Sequence, residues 1–124
     1  MSVQNVIIYT SLIPVCQSVE VVLRNEVLSK QGSRQGIYQL GEIVNGKQSW
    51  KSATDAIWFI LGSEDWCIGP LSDIGTDSCG IASFADKDQS LFNVANDDWR
   101  YSDDGWKVMN SGDIAINCDT GISF

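Results

Sequence analysis

Residues 49–69, SWKSATDAIWFILGSEDWCIG, constrain the fold of this chain more than any other stretch. Trp50, Trp58 and Trp66 stand eight residues apart, and the most apolar run, AIWFIL at 56–61, lies between them. Turn-forming residues bound that run on both sides, Thr54-Asp55 before it and Gly62 to Asp65 after it. A short, continuously apolar segment between turns reads as a central β-strand buried on both faces. KQSWKS before it and WCIG after it read as its neighbours. An interval of eight is one strand plus one turn, so three consecutive strands each carry a tryptophan and form an antiparallel meander.

The flanking sequence extends the same pattern. GIYQLGEIV at 36–44 is a strand candidate, and Asn45-Gly46 is the dipeptide most favoured in a two-residue type I′ hairpin. GIASFA at 80–85 and DIAINC at 113–118 are further strands, the latter with Ile114 and Ile116 on one face. Trp99 to Tyr101 and Trp106 to Met109 flank Asp104-Gly105 and predict another hairpin. Residues 3–9 and 12–16 are rich in β-branched side chains and suggest one or two short strands, with Pro14 marking an edge or a break. Residues 19–31 read two ways. Val19, Val22, Leu23, Val27 and Leu28 match helical spacing with Ser18 as an N-cap, while SVEVVL reads as a strand, which the β-rich remainder favours. The expectation is an all-β, single-domain antiparallel meander over residues 1–124, with its core at about 19–118, forming a small barrel or sandwich with at most one short N-terminal helix.

A chain of 124 residues fits one domain with its own core. The net charge of −8 is unevenly placed: residues 1–52 carry five basic and three acidic side chains, and the remainder three basic and thirteen acidic. That field repels nucleic acid and anionic membrane surfaces. No apolar run approaches the roughly 20 residues that span a bilayer, and residues 1–14 lack the basic start of a secretory signal. The four cysteines form no C-x-x-C pair and there is no histidine to complete a zinc site. Two disulfides fit the even count. Cys67 with Cys79 closes a short loop and Cys16 with Cys118 ties the two ends together, so the compartment is extracellular if they are oxidised and cytoplasmic otherwise.

Gly36-x-Tyr38, Asn45-Gly46-x-x-x-Trp50, Ile57-Trp58-Phe59, Trp66-x-Ile68-Gly69, the late pair Trp99 and Trp106, and Ile114-x-Ile116-x-Cys118 together resemble a small β-module. That module recurs in proteins of marine invertebrates and unicellular eukaryotes, often in many-domain or extracellular chains. The chain departs from the pattern at Trp50, where tyrosine is expected, and in its additional Cys67 and Cys79. The resemblance implies a non-catalytic binding or assembly module and assigns no functional residue.

The residue inventory narrows the chemistry further. Lack of histidine excludes Ser-His-Asp and Cys-His catalysis, and no phosphate-cradling glycine motif is present. Glu64 and Asp65 beside Trp66 are the only carboxylates that suggest glycoside hydrolysis, and they read better as solvated turn acids. Asp86-x-Asp88-x-Ser90 matches the opening of a calcium loop, but Leu91 replaces the turn glycine and Asp97 the bidentate glutamate, which excludes an EF-hand. A looser calcium site from Asp86 and Asp88 with Asp97 and Asp98 is the one cofactor suggested; otherwise none is expected. Exposed aromatic rings stack on sugar rings while acids accept from the hydroxyls. Trp99 and Trp106, with Asp97, Asp98, Tyr101 and Asp104 around them, are therefore the expected ligand platform of a lectin-like protein. The alternative is a structural or protein-interaction module that self-assembles, so the partner is a carbohydrate or another protein, including a homo-oligomer.

Overall fold

The computed structural model describes residues 16–119. The strand expectation at 3–9, and that at 12–16 apart from Cys16, lie outside that range.

Among the described residues nine strands form one antiparallel sheet. They are β1 (Ser18–Leu23), β2 (Gly36–Val44), β3 (Lys47–Lys51), β4 (Asp55–Ile60), β5 (Asp65–Pro70), β6 (Ile81–Ser83), β7 (Trp99–Ser102), β8 (Trp106–Val108) and β9 (Ile114–Asp119). Strands β1 to β8 follow one another as a meander, and β9 returns to pair with β1. The two edges of the sheet, β8 and β9, are joined by only five residues, 109–113. At about 3.5 Å per residue that link spans two edges only if the sheet curls nearly onto itself. The all-β meander is thus an open half-barrel.

The segment left ambiguous by its spacing divides between the two readings. SVEVVL is β1, with Val19, Val21 and Leu23 buried on one face, and the chain then turns through Asn25 into α1 (Asn25–Gln31). The helix closes one end of the half-barrel. Val27 enters the core, the Gln31 side chain donates to the Ser102 carbonyl (2.8 Å), and the following turn sends Arg34 to Asp55 (2.8 Å). Asp55 is buried and paired, as a buried carboxylate must be. Tyr38 donates its hydroxyl to the Arg34 carbonyl at 2.6 Å, and its phenol is held well above the usual range by burial and then by Asp55.

Inside the curl, Val21, Tyr38, Trp50, Ile57, Phe59, Trp66, Ile68, Ile81, Trp99 and Met109 belong to one continuous core. Strand β4 is buried on both faces, as its unbroken apolar run implies. Its alternation sends Ile57 and Phe59 inward and Trp58 outward. Register places Trp50 opposite Ile57 and Trp66 opposite Phe59, so these two tryptophans share the inner face, with ring centroids 6.4 Å apart. Trp58 lies under residues 71–80, which fold across the outer face and are bound to β5 by the Cys67–Cys79 disulfide. Gly69 permits this approach: a Cβ there would stand 2.8 Å from the Cys79 Cβ.

Each of the three tryptophans also fixes a distant segment through its indole N–H. Trp50 donates to the Cys16 carbonyl (2.8 Å), Trp58 to Thr76 (2.7 Å) and Trp66 to Gln89 (2.9 Å). Cys16, in turn, is bridged to Cys118 on β9. Both expected disulfides are present and fit an oxidising, extracellular environment. No described helix is long and apolar enough to cross a membrane.

Candidate functional site

The late hairpin does not make a paired tryptophan platform. Trp99 is 2% exposed and Tyr101 is buried beside it, both facing the core. Trp106 is 43% exposed on the opposite face. The reason is register. Ser102 pairs with Trp106 and Arg100 with Val108, which leaves three residues, 103–105, in the loop. A two-residue Asp104-Gly105 turn would have set Trp106 opposite Asp103, on the same face as Trp99. One extra loop residue reverses the parity and turns Trp106 outward. Two of the three loop residues have positive φ, 56° at Asp104 and 107° at Gly105, which aspartate and glycine tolerate best.

Outside, Trp106 meets Phe84, which directly follows β6 and which alternation turns to the same outer face. Their rings pack edge to face at 5.3 Å, and Phe84 stays partly exposed. These two rings line a cleft of about 340 Å³. The cystine-held loop contributes Asp77 to its lining and β6 contributes Ala82. Ser63, Asp65 and Asp86 line it as well. The loop wall is held in place by the Trp58 bond to Thr76 and by the Thr76 hydroxyl donating to the Asp73 carbonyl at 2.7 Å.

Asp65, expected to be a solvated turn acid, is instead the first residue of β5 and only 5% exposed. The Asp86 N–H and the Ser83 hydroxyl donate to its Oδ1, at 3.0 and 3.3 Å. Ser83 Oγ meanwhile accepts the Trp66 N–H at 2.8 Å. Burial pushes the Asp65 carboxyl above the usual carboxylate range, and the adjoining Asp86 carboxyl adds to that shift while the Asp86 N–H opposes it. No basic side chain pairs with Asp65, Asp77 or Asp86 among the described residues. Arg100 lies over the Phe84 ring at 5.2 Å and donates to the Asp97 carbonyl.

The other expected site residues lie elsewhere. Asp97 and Asp98 form a 3-10 turn before β7, where the Asp98 carbonyl accepts the Phe84 N–H, and Asp104 occupies the exposed hairpin tip. Asp88 pairs with Lys47 at 2.7 Å while Asp86 turns toward Asp65, so the suggested calcium pair is drawn to different partners. Among the described residues no three cysteine or acidic side chains converge as metal ligands. Sequence reasoning missed Phe84 and Asp77, and it named Asp65 only as a turn acid. The alternation Ile81-Ala82-Ser83-Phe84 carried a signal for Phe84, because it puts a large ring on the outer face of an otherwise small-residue strand. A second groove, of about 260 Å³, follows β9 past Leu91, Trp99 and Ile116, but no titratable side chain lines it. The acidic aromatic cleft is therefore the better-equipped site. Comparison with protein-family models, with curated proteins and with solved structures finds no match to this chain.

Proposed function

We propose that this protein is a non-catalytic, lectin-like binding module that acts outside the cell and holds a carbohydrate in the cleft between Trp106 and the 71–80 loop. The observation that carries this reading is the placement of a half-exposed Trp106 ring, supported edge-on by Phe84, beside the carboxylates of Asp65, Asp77 and Asp86. A sugar ring stacks its apolar face on the indole while its hydroxyls donate to the acids. Geometry favours binding over hydrolysis. Glycosidase carboxyls stand about 5 to 9.5 Å apart to admit a sugar carbon or a water. Asp65 and Asp86 instead lie within hydrogen-bond reach of each other.

A broad glycan array combined with tryptophan fluorescence tests the reading. Binding is expected to a defined set of glycans and to vanish in Trp106→Ala. An empty array would sink it. The second reading, an assembly module, draws on β8 and β9 standing at the two ends of the strand order among the described residues, the positions from which a sheet is extended between copies. Light scattering that finds only monomer at high concentration counts against it.

A further inference from the structure

The tip of the β2–β3 hairpin carries a reactive dipeptide and a lock on it. Asn45-Gly46 is the only asparagine followed by glycine in the chain. Glycine has no side chain to shield its nitrogen, so in this dipeptide the backbone nitrogen reaches the asparagine carboxamide carbon with least hindrance. The folded chain commits that carboxamide elsewhere. Asn45 Nδ2 donates to the Phe59 carbonyl at 2.8 Å and to the Gly75 carbonyl at 3.2 Å, the second on the loop that covers Trp58. If the carboxamide is to react, Nδ2 must leave as ammonia, and here its two N–H donors meet two carbonyls. Attack also requires the side chain to swing away from these acceptors toward Gly46. The same two bonds clasp the hairpin tip to β4 and to the 71–80 loop, and Val44 beside the tip packs on the cluster around Trp58.

We propose that Asn45 is a deamidation site gated by the 71–80 loop, protected while the loop is closed and converted once it opens. The Gly46 nitrogen gives its proton to water and attacks Asn45 Cγ, the Cγ–Nδ2 bond breaks, and Nδ2 takes a proton from water and departs as ammonia. Water then opens the five-membered imide at either carbonyl, leaving aspartate or isoaspartate. One water is consumed and one ammonia released. Either product undoes the clasp. A carboxylate only accepts, so it faces the Phe59 and Gly75 carbonyls with no donor and with like partial charge. Isoaspartate also lengthens the backbone of a two-residue turn whose fit to the strands sets their pairing. The change is therefore one-way, and an opening of the cover becomes a covalent mark that keeps it from reseating. Neither bond involves Trp106 or Phe84, so the gate operates whatever the protein binds.

Peptide mass spectrometry of the full chain, incubated at neutral pH and sampled over time, tests the gate. The native protein is expected to deamidate at Asn45 at least about tenfold more slowly than the chain in denaturant, tenfold being about 1.4 kcal/mol of opening free energy. The rate should rise toward the denatured one when Cys67 and Cys79, which bridge the loop to β5, are both replaced by serine. A smaller rise is expected in Trp58→Phe, which keeps a ring under the loop but removes the N–H bonded to Thr76, and this variant carries the test if the first does not fold. Asn45→Asp, made outright, should speed amide hydrogen exchange across residues 71–80 while β6 and β7 stay protected. Native and denatured chains converting at equal rates would overturn the gate, as would a rate unmoved by loosening the loop. An Asn45→Asp chain whose loop exchanges like that of the parent would overturn the clasp.

Discussion

The outer face of the sheet has two halves, each with one tryptophan, and their fates differ. On β4 Trp58 is fully buried beneath the 71–80 loop, with its N–H bonded to Thr76. On β8 Trp106 faces solvent, and among the described residues nothing accepts from its N–H. The same residue type on the same face is a structural anchor in one place and an accessible surface in the other. What separates them is the covalent cover. The Cys67–Cys79 disulfide holds the loop over β4 and β5, and Asp77 of that loop lines the same cleft as Trp106. The stable half thus shapes the exposed one.

This contrast makes ordered demands on mutants. Trp58→Ala is expected to cost most, about 3 to 5 kcal/mol, since it removes a fully buried ring and the loop's anchor together; chemical denaturation measures it. Replacing both Cys67 and Cys79 by serine is expected to cost about 2 to 4 kcal/mol. Both changes loosen the same loop, so the triple variant should lose less than the sum, and full additivity would break the idea of a shared wall. Gly69→Ala is expected to destabilise by about 1 to 3 kcal/mol, because its new Cβ meets the Cys79 Cβ and Cα at 2.8 and 2.9 Å. Trp106→Ala should change stability by less than about 1 kcal/mol while removing glycan binding. A large stability loss there would erase the distinction between the two halves.

A smaller effect of opposite sign is expected at Asp65. Its carboxyl titrates higher in the folded chain than in the unfolded one, so folding disfavours its charged form. The stability it contributes is present below the unfolded value of about 4 and is lost as pH rises through the folded value. Asp65→Asn keeps an oxygen for the Asp86 N–H and removes the charge. Its melting temperature should exceed that of the parent at pH 7 and match it at pH 3. Equal melting temperatures at pH 7 would show that the cleft bears no uncompensated buried charge.

Much of this architecture was legible in residues 49–69. An apolar run of strand length between turn residues specifies a doubly buried strand, and tryptophans one strand-and-turn apart specify its neighbours. Asn45-Gly46 fixed the β2–β3 turn, where φ is 53° and 86°. The cysteine pairing was legible too, since one bridge closes a short loop and the other links the chain's two ends. The division of residues 19–31 into β1 and α1 was less clear, because Val19, Val22 and Leu23 fit both periods until β9 pairs with the segment and fixes it as a strand.

Local sequence, through side-chain alternation and turn preference, determined that the chain is an antiparallel meander organised around β4. It left open which tryptophan meets solvent, because that depends on the parity of a loop and the path of a cover. One extra residue at 103–105 sent Trp106 outward and left Trp99 in the core. The curl of the sheet and the cystine-held loop then brought Asp65, Asp77, Phe84, Asp86 and Trp106 together from four separate segments. Strand identity is set by near neighbours, whereas a cleft is set by long-range register and packing, and only the tertiary structure decides those.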